Sequence, residues 1–400
     1  MRFQHLAALA LGLSIAVVSA ACGRGSGSQA LPSGTSSAQA QAPRSRIAEA
    51  RIAEGARLFE HYCQLCHAKD ATGYAADNAP SLVSKTFLES APDTQIAAGI
   101  RMGRPGTAMA AYGKGRGGPL DEQDITAIVT FLRSKGPSTI SLPPLSANGD
   151  VQKGAQLYEQ NCQSCHATAT TRGNAPSLHN PELLNGASPA FLRYAVVNGR
   201  PGTPMPPFLG KLSERDVTDI VTWLWSFKPA QPTAPVANPL VPTDLPIVIN
   251  PKGKRPSFTL REERFVSSEQ VKQALAAKQR IVIIDARPPS DWIQFRIPGA
   301  ISLPYHDHSQ LERVPNDGTW VVAYCACPHH ASGEVVDALR KRQYPNTAVL
   351  DEGILFWRDK GYPLAGDAVP ARLAPGASGK PALPAAPGSA GAPKPPSTKP

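Results

Sequence analysis

The stretch Cys63-Gln64-Leu65-Cys66-His67 occurs a second time in the chain as Cys162-Gln163-Ser164-Cys165-His166. The pattern C-x-x-C-H is typical of covalent attachment of a c-type haem. Its two thiols bond to the haem vinyl groups, and its histidine places an imidazole on the iron. A bare C-x-x-C would also fit a dithiol redox pair or half of a zinc site, so the flanking sequence has to discriminate between these interpretations.

The sequence around both motifs is repeated as well. Residues 55–59 match 154–158, residues 79–82 match 175–178, and residues 103–109 match 199–205. These shared elements resemble tandem class I cytochrome c domains. The resemblance implies two all-α domains, over 47–136 and 150–228, and two covalently attached haem c groups. The cysteines that would hold the haems are Cys63, Cys66, Cys162 and Cys165.

The resemblance also implies the axial histidines of the two irons, His67 and His166. In this family the other ring nitrogen of each histidine donates to a backbone carbonyl, which here corresponds to Pro80 and Pro176. Such a hydrogen bond sets the tautomer and the orientation of an iron-bound imidazole.

A methionine thioether is expected on the opposite face of each iron, where it raises the reduction potential. Met205 is the only methionine that follows the second motif within its block, whereas the first block offers Met102 and Met109. The repeat places Met109 on Met205 and Met102 on Asn198, so we predict Met109 and Met205 as ligands. A His/Met pair leaves no open coordination position, which favours electron transfer over substrate binding at the iron.

Two glycines predict how the helices of each block cross. Gly55 lies within a helical pattern over 47–62, and Gly154 takes the same place in the second block. Glycine destabilises a helix interior, so a close packing contact is the expected reason for it. The predicted partners are the amphipathic helices over 121–135 and 213–227.

The third block, residues 262–366, has a different periodicity. Continuous apolar runs over 281–285, 320–324 and 347–350 are typical of buried parallel strands. Helical patterns lie over 267–278, before the first run, and over 332–343, between the last two. The alternation predicts an α/β domain with helices on both faces of a parallel sheet.

Short motifs over 285–287, 297–301, 324–325 and 353–357 resemble a rhodanese domain. The resemblance implies that Cys325 begins a loop whose N–H groups, together with the dipole of the next helix, stabilise a thiolate or persulfide. The sequence departs from the family because the loop over 325–332 has no Arg or Lys to hold an oxyanionic substrate.

Besides a Cys325–Cys327 disulfide, which would close a very small ring, three interpretations of this loop remain open. The first is persulfide chemistry at Cys325, with Cys327 as a second candidate thiol. The second is a copper or zinc site formed by the two cysteines with His329 and His330, although four ligands so close in sequence would strain a tetrahedral site. The third is a catalytically inactive docking module.

The start of the chain predicts export. Arg2, an apolar run over 6–18 and small residues before Cys22 form a secretory signal over 1–22. The arrangement resembles a bacterial lipoprotein signal, in which Cys22 carries lipid and tethers the protein to a membrane. Ordinary signal cleavage is the alternative. Either way, the expected location is the periplasm.

Composition predicts three connecting or terminal segments. Residues 23–46 form a flexible tether, 229–261 a Pro-rich spacer, and 367–400 a disordered Ala/Pro-rich tail. The net charge of +10 resides mainly in these segments, while charges nearly balance within the three blocks. Nothing resembles a nucleic-acid-binding module, so we expect no nucleic-acid partner.

Together these observations predict an exported dihaem c-type cytochrome with two all-α cytochrome c domains and one α/β rhodanese-like domain. It would pass single electrons between periplasmic donor and acceptor proteins, and Cys325 would handle sulfane sulfur from a sulfur compound and pass electrons on to the haems. The sequence does not decide whether the spacer holds the third domain away from the haems or lets it fold back.

Overall fold

The structure, a computed structural model, describes residues 37–169, 171–230, 241–242, 244–326 and 329–369. The described residues from Ile47 onward belong to one compact unit. Two helical domains and one α/β domain follow each other along the chain, as predicted. Cys22, Cys327 and the predicted signal peptide lie outside the described residues. None of the described helices has both the length and the apolar character needed to cross a membrane.

The first helical domain is built around a crossing of its terminal helices. Its helices are α1 (Ser37–Tyr62), α2 (Gln64–His67), α3 (Lys85–Ser90), α4 (Asp93–Met102) and α5 (Glu122–Arg133). Asp121 caps α5 by accepting hydrogen bonds from the N–H groups of Gln123 and Asp124. A Cβ at Gly55 would overlap the Ala127 carbonyl oxygen and lie 2.8 Å from the Cβ of Phe131. The predicted glycine-dependent crossing is therefore confirmed.

The second helical domain repeats this arrangement. Its helices are α6 (Val151–Asn161), α7 (Gln163–His166), α8 (Pro181–Gly186), α9 (Pro189–Asn198) and α10 (Glu214–Trp225). Ser213 caps α10 in the way that Asp121 caps α5. A Cβ at Gly154 would overlap the Asp219 carbonyl oxygen and lie 2.9 Å from the Cβ of Trp223. Both crossings thus depend on the absence of one side chain.

The two helical domains share a hydrophobic core. One cluster of buried side chains extends from Leu88 in α3 to Leu192 in α9. The rings of Phe87 and Phe191 meet edge to face with centroids 6.5 Å apart. Because burial of apolar surface is the main stabilising contribution to folding, these contacts hold the two domains together.

The third domain contains a five-stranded parallel sheet in the order β1-β5-β4-β2-β3. Its elements are β1 (Phe265–Val266), α11 (Ser268–Ala276), β2 (Ile281–Asp285), α12 (Pro289–Gln294), β3 (Ile301–Ser302), β4 (Trp320–Tyr324), α13 (Ala331–Lys341), β5 (Thr347–Leu350) and α14 (Gly353–Asp359). The three predicted strands are confirmed. The two-residue strands β1 and β3 were too short to show a pattern. Separate hydrophobic clusters cover the two faces of the sheet.

The chain segment before the third domain contacts its sheet. Ile249 pairs with Ile281 in an antiparallel bridge, and Ile247 and Val248 pack against one of the two clusters. Arg255 donates a 2.5 Å hydrogen bond to the Asp317 carbonyl. The sequence predicts a Pro-rich spacer over 229–261 but not these contacts, because isolated apolar residues in a Pro-rich segment carry no periodic signal.

Candidate functional site

The histidine of the first motif is held in one tautomer. His67 lies at the end of α2 with its ring buried, and its Nδ1 is 2.9 Å from the Pro80 carbonyl oxygen. A carbonyl can only accept, so Nδ1 carries the proton and Nε2 keeps its lone pair. Burial lowers the pKa of His67, which favours the neutral ring. The predicted contact with Pro80 is present.

The second motif has the same geometry in a more open setting. The Nδ1 atom of His166 donates to the Pro176 carbonyl oxygen over 2.7 Å. Burial lowers the pKa of this histidine too, although its ring is less enclosed than that of His67. Both imidazoles therefore present a neutral Nε2, the form that binds a metal.

The loops that carry Met109 and Met205 share one backbone pattern. The Arg104 N–H donates to the Met109 carbonyl over 2.7 Å, and the Arg200 N–H donates to the Met205 carbonyl over 3.0 Å. Threonine hydroxyls accept from both methionine N–H groups, at 3.1 Å from Thr107 and 3.2 Å from Thr203. The two methionines hence occupy equivalent places.

Met102 occupies a different place. It is the last residue of α4, and Asn198 is the last residue of α9. The structure thus pairs Met102 with Asn198, as the repeat alignment expects.

Each loop also contains an arginine that the sequence analysis passed over. Burial lowers the pKa of Arg104 and of Arg200 to about 10. The carboxylate of Glu182 opposes this effect at Arg104. A partly buried guanidinium whose charge is incompletely balanced fits an anionic group such as a haem propionate. Their shared position in the repeat was the signal that could have identified them.

The residues present fit haem c in both domains. Each offers two cysteines outside any disulfide, a histidine with an available Nε2, a methionine, and an arginine for a carboxylate. These are the chemical groups that attach and ligate such a haem. Elsewhere in the described ranges, no group of three or more Cys, His, Asp or Glu side chains is arranged to hold a metal ion.

Cys325 lies between β4 and α13, where the sequence analysis expected it. Its side chain is buried, and its Sγ lies 3.3 Å from the hydroxyl oxygen of Ser332 in the first turn of the helix. Burial raises the pKa of the Cys325 thiol, against hydrogen bonds from Ser332 that lower it. The sulfur lies beside the start of α13, as expected for a thiolate. Burial nevertheless changes the pKa of Cys325 more than the hydrogen bonds of Ser332 do.

The two histidines of the loop diverge. His329 Nε2 is 2.9 Å from an Asp351 carboxylate oxygen, and its ring stacks against Phe265. His330 instead lines a cavity together with Cys325. His329 is thus not among the residues that line the cavity beside Cys325. Because Cys327 lies outside the described residues, the four-ligand metal interpretation of this loop stays a prediction.

The cavity beside Cys325 is shared between domains. From the first domain it is lined by Leu65, Cys66, Asp77, Ala108 and Tyr112. From the third domain it is lined by Arg287, Pro288, Asp291, Tyr305, Cys325, Ala326, His330 and Ala331. It offers about 40 Å³ of space for water-sized atoms. The structure thereby brings Cys325 together with the second cysteine of the first motif, which sequence reasoning did not anticipate.

Hydrogen bonds hold the first and third domains together around this cavity. The Tyr305 hydroxyl donates to the Tyr62 carbonyl over 2.8 Å and lies 3.2 Å from the Tyr112 hydroxyl. Ser290 donates to the Ala111 carbonyl over 2.6 Å. The third domain therefore folds back onto the first domain, which resolves the alternative that the sequence left open.

Arg287 is the only cation that lines the cavity within the described part, and its charge is already engaged. Its guanidinium is 2.7 Å from the Asp285 carboxylate and 3.4 Å from that of Asp291. Although burial opposes the charged form, the two carboxylates raise the pKa of Arg287. Burial raises the pKa of Asp291 to about 6. Arg287 thus does not replace the arginine that the Cys325 loop lacks.

Family comparisons agree with the three-domain architecture. Residues 50–132 and 149–224 match the family described as cytochrome C oxidase, cbb3-type, subunit III. Residues 267–360 match the family described as a rhodanese-like domain.

Similar proteins cover only part of the chain. It is 30% identical over 185 residues to the Cbb3-type cytochrome c oxidase subunit FixP of Bradyrhizobium sp. (strain ORS 278), a match covering 44% of this chain and 60% of that protein. It is 29% identical over 193 residues to subunit CcoP of Azospirillum sp. (strain B510), covering 43% and 61%. The chain thus spans about three fifths of these relatives. The crystal structure of thiosulfate sulfurtransferase from Pseudomonas aeruginosa is 27% identical over 26% of this chain and 20% of that chain, with a TM-score of 0.24.

Proposed function

Because the chain consists of two cytochrome c domains followed by a rhodanese-like domain, we propose that it is an exported one-electron carrier with two covalently attached haems. The observation that carries the proposal is the duplicated donor set. Both domains pair a histidine held by a proline carbonyl with a methionine in an identically bonded loop. Haem c, when bound, supplies reversible one-electron exchange at its iron.

The protein's own residues would set the properties of that exchange. Cys63 and Cys66 would attach the first haem, and Cys162 and Cys165 the second. His67 and His166 would bind iron through Nε2, with Met109 and Met205 opposite them. The proline carbonyls fix each imidazole and increase its basicity, while the thioether favours the reduced iron and raises the potential.

Contacts between the cytochrome domains support electron exchange within the chain. Thr86 in α3 donates to the Gly199 carbonyl over 2.7 Å, and Asn180 donates to the Pro105 carbonyl over 3.0 Å. Gly199 and Pro105 belong to the methionine loops of the two domains. Each loop thus contacts the other cytochrome domain, an arrangement that favours transfer from one haem to the other.

For the rhodanese-like domain we propose that Cys325 handles sulfane sulfur. The support is its place before α13, where the helix start and the Ser332 hydrogen bonds stabilise a charged sulfur. A second candidate function is that of a docking module. The hydrogen bonds of Tyr305 and Ser290 to the first domain favour that alternative.

The proposed location is the periplasm, with Cys22 as the site of a lipid anchor. The amino-terminal signal pattern supports this location, and covalent haem attachment is expected outside the cytoplasm. The proposed partners are periplasmic redox proteins that donate and accept single electrons, in keeping with relatives named as oxidase subunits.

Haem content tests the main proposal. The pyridine haemochrome spectrum and the intact mass of the exported protein should give two covalent haems per chain. Haem that is extracted by acidic acetone, or a single haem per chain, would refute it.

Sulfur transfer to cyanide separates the two candidate functions of the third domain. With several sulfane donors, the full chain should form thiocyanate and the Cys325→Ser variant should not. Equal rates for the wild type and the variant would leave docking as the function of this domain.

A further inference from the structure

The cavity between Cys325 and Cys66 is small, but it has room for a water-sized molecule beside the Cys325 sulfur. A ligand with a single sulfur atom therefore fits. What separates such a ligand from an oxyanion such as thiosulfate is the charge of the walls.

The charges that line the cavity disfavour an anion. Asp77 is exposed at its rim and places a negative charge near Cys66 and Cys325. Asp291 is buried in its wall. The guanidinium of Arg287 is already paired with carboxylates. An oxyanion would therefore enter against uncompensated negative charge, whereas a neutral molecule would not.

The walls offer polar partners to a small polar molecule. His330 lines the cavity, and its Nδ1 is buried without a hydrogen-bond partner among the described residues. The hydroxyl of Ser332 lies 3.3 Å from the Cys325 sulfur. A buried polar atom without a partner costs free energy, so such an atom beside a thiol favours binding of a ligand there.

We propose that this cavity admits hydrogen sulfide and that Cys325 combines with it to form a persulfide, with the electrons leaving through the first cytochrome domain. The inference rests on the proposed function, because it takes the two ferric haems c as the oxidant. A new S–S bond forms, and one S–H bond breaks in each of Cys325 and hydrogen sulfide. Two protons leave to solvent past Asp77, and two electrons leave one at a time, one for each ferric haem.

The structure favours the first domain as the acceptor. Cys66, the proposed second attachment point of the first haem, lines the same cavity as Cys325. The hydrogen-bonded Tyr305 and Tyr112 also lie in that wall and hold the two domains in contact. The second motif contributes no residue to the cavity, so its haem would be reduced through the first.

The test uses the full ferric holoprotein without oxygen, and sodium sulfide as the probe. After alkylation, peptide mass spectrometry should find one additional sulfur atom on Cys325, and both haems should become reduced. The Cys325→Ser and Cys325→Ala variants should lose this reduction while ascorbate still reduces them fully, which shows that they are folded. Reduction by sulfide at the wild-type rate in both variants would mean direct attack on haem and would overturn the inference.

Thiosulfate is the discriminating second probe. The wild type should form the Cys325 persulfide from thiosulfate much more slowly than from sulfide, and Asp77→Asn should raise the thiosulfate rate about tenfold, because one partly screened negative charge is removed. Asp70→Asn is the matched control, since Asp70 is exposed and lies outside the cavity lining. Persulfide formation from thiosulfate at least as fast as from sulfide in the wild type would overturn the assignment.

The two levels of proposal fail differently. If the haemochrome assay finds fewer than two haems, the proposed electron carrier itself is wrong. If two haems are present and ascorbate reduces both, but sulfide adds no sulfur to Cys325, only the present inference is wrong.

Discussion

The two cytochrome domains have the same local machinery in different surroundings. Cys66 is partly buried beside the third domain, whereas its counterpart Cys165 is exposed. His67 is likewise buried, and His166 only partly so. Duplication thus reproduces the candidate ligand set, but contact with the third domain buries the first copy more than the second. We therefore expect redox partners to reach the motif of the second domain more easily than that of the first, which borders the Cys325 cavity.

The largest expected effect is the loss of one haem. Replacing Cys162 and Cys165 by alanine should reduce the haem content from two to one per chain, because both thioether bonds of that haem are removed. The matched Cys63→Ala/Cys66→Ala variant should also retain one haem. Pyridine haemochrome spectra measure both. Two haems per chain in either double variant would contradict the predicted equivalence of the two domains.

Axial ligation is the next comparison. Met109→Ala and Met205→Ala should each abolish one methionine–iron absorption band and lower one potential, because the thioether favours ferrous iron. Met102→Ala, at the end of α4, is the control and should leave both sites unchanged. Redox titration followed by absorption measures the effect. If Met102→Ala alone abolished the methionine–iron band of the first domain, the two repeats would not be equivalent at this ligand.

The helix crossings should be equally sensitive in both domains. Gly55→Ala and Gly154→Ala would each force a Cβ into the opposing helix backbone, and overpacking of this kind costs about 3 kcal/mol of unfolding free energy. Gly115→Ala, where a Cβ would meet nothing within 4 Å, should change stability by less than about 0.5 kcal/mol. Denaturant unfolding followed by circular dichroism measures all three. A loss of unfolding free energy in only one of Gly55→Ala and Gly154→Ala would contradict the equivalence of the two crossings.

The smallest effects concern the contacts of the third domain. Tyr305→Phe removes the hydrogen bonds to Tyr62 and Tyr112 and should destabilise the docked third domain by about 1 kcal/mol. Arg172→Ala removes a 2.6 Å ion pair with Asp359, joining the second and third domains. Both partners are largely exposed, so the loss should be below about 1 kcal/mol. The unfolding transition of the third domain measures the loss of stability in both variants. A larger loss in Arg172→Ala than in Tyr305→Phe would make the second domain the main docking partner.

Much of the fold follows from local sequence patterns. The strands over 281–285, 320–324 and 347–350 were predictable because burial on both faces demands unbroken apolar runs. Gly55 and Gly154 predicted the crossings because glycine inside a helix needs a packing reason. The alignment of Met109 with Met205 required only the repeat. In each case the responsible residues are close in sequence or repeat at a fixed spacing.

The cavity was decided by tertiary structure alone. Cys325 and Cys66 line the same cavity because Tyr305 and Ser290 form hydrogen bonds to the first domain. Such pairings between surfaces that are distant in sequence leave no periodic signal in the chain. The engagement of Arg287 by Asp285 and Asp291 likewise depends on three-dimensional placement. The sequence by itself determined the types of domain and predicted their ligand sets, whereas the folded chain decided which domain faces the thiol. The physical reason is that ligand sets are encoded by short spacing, while domain docking depends on shape and charge across complete surfaces.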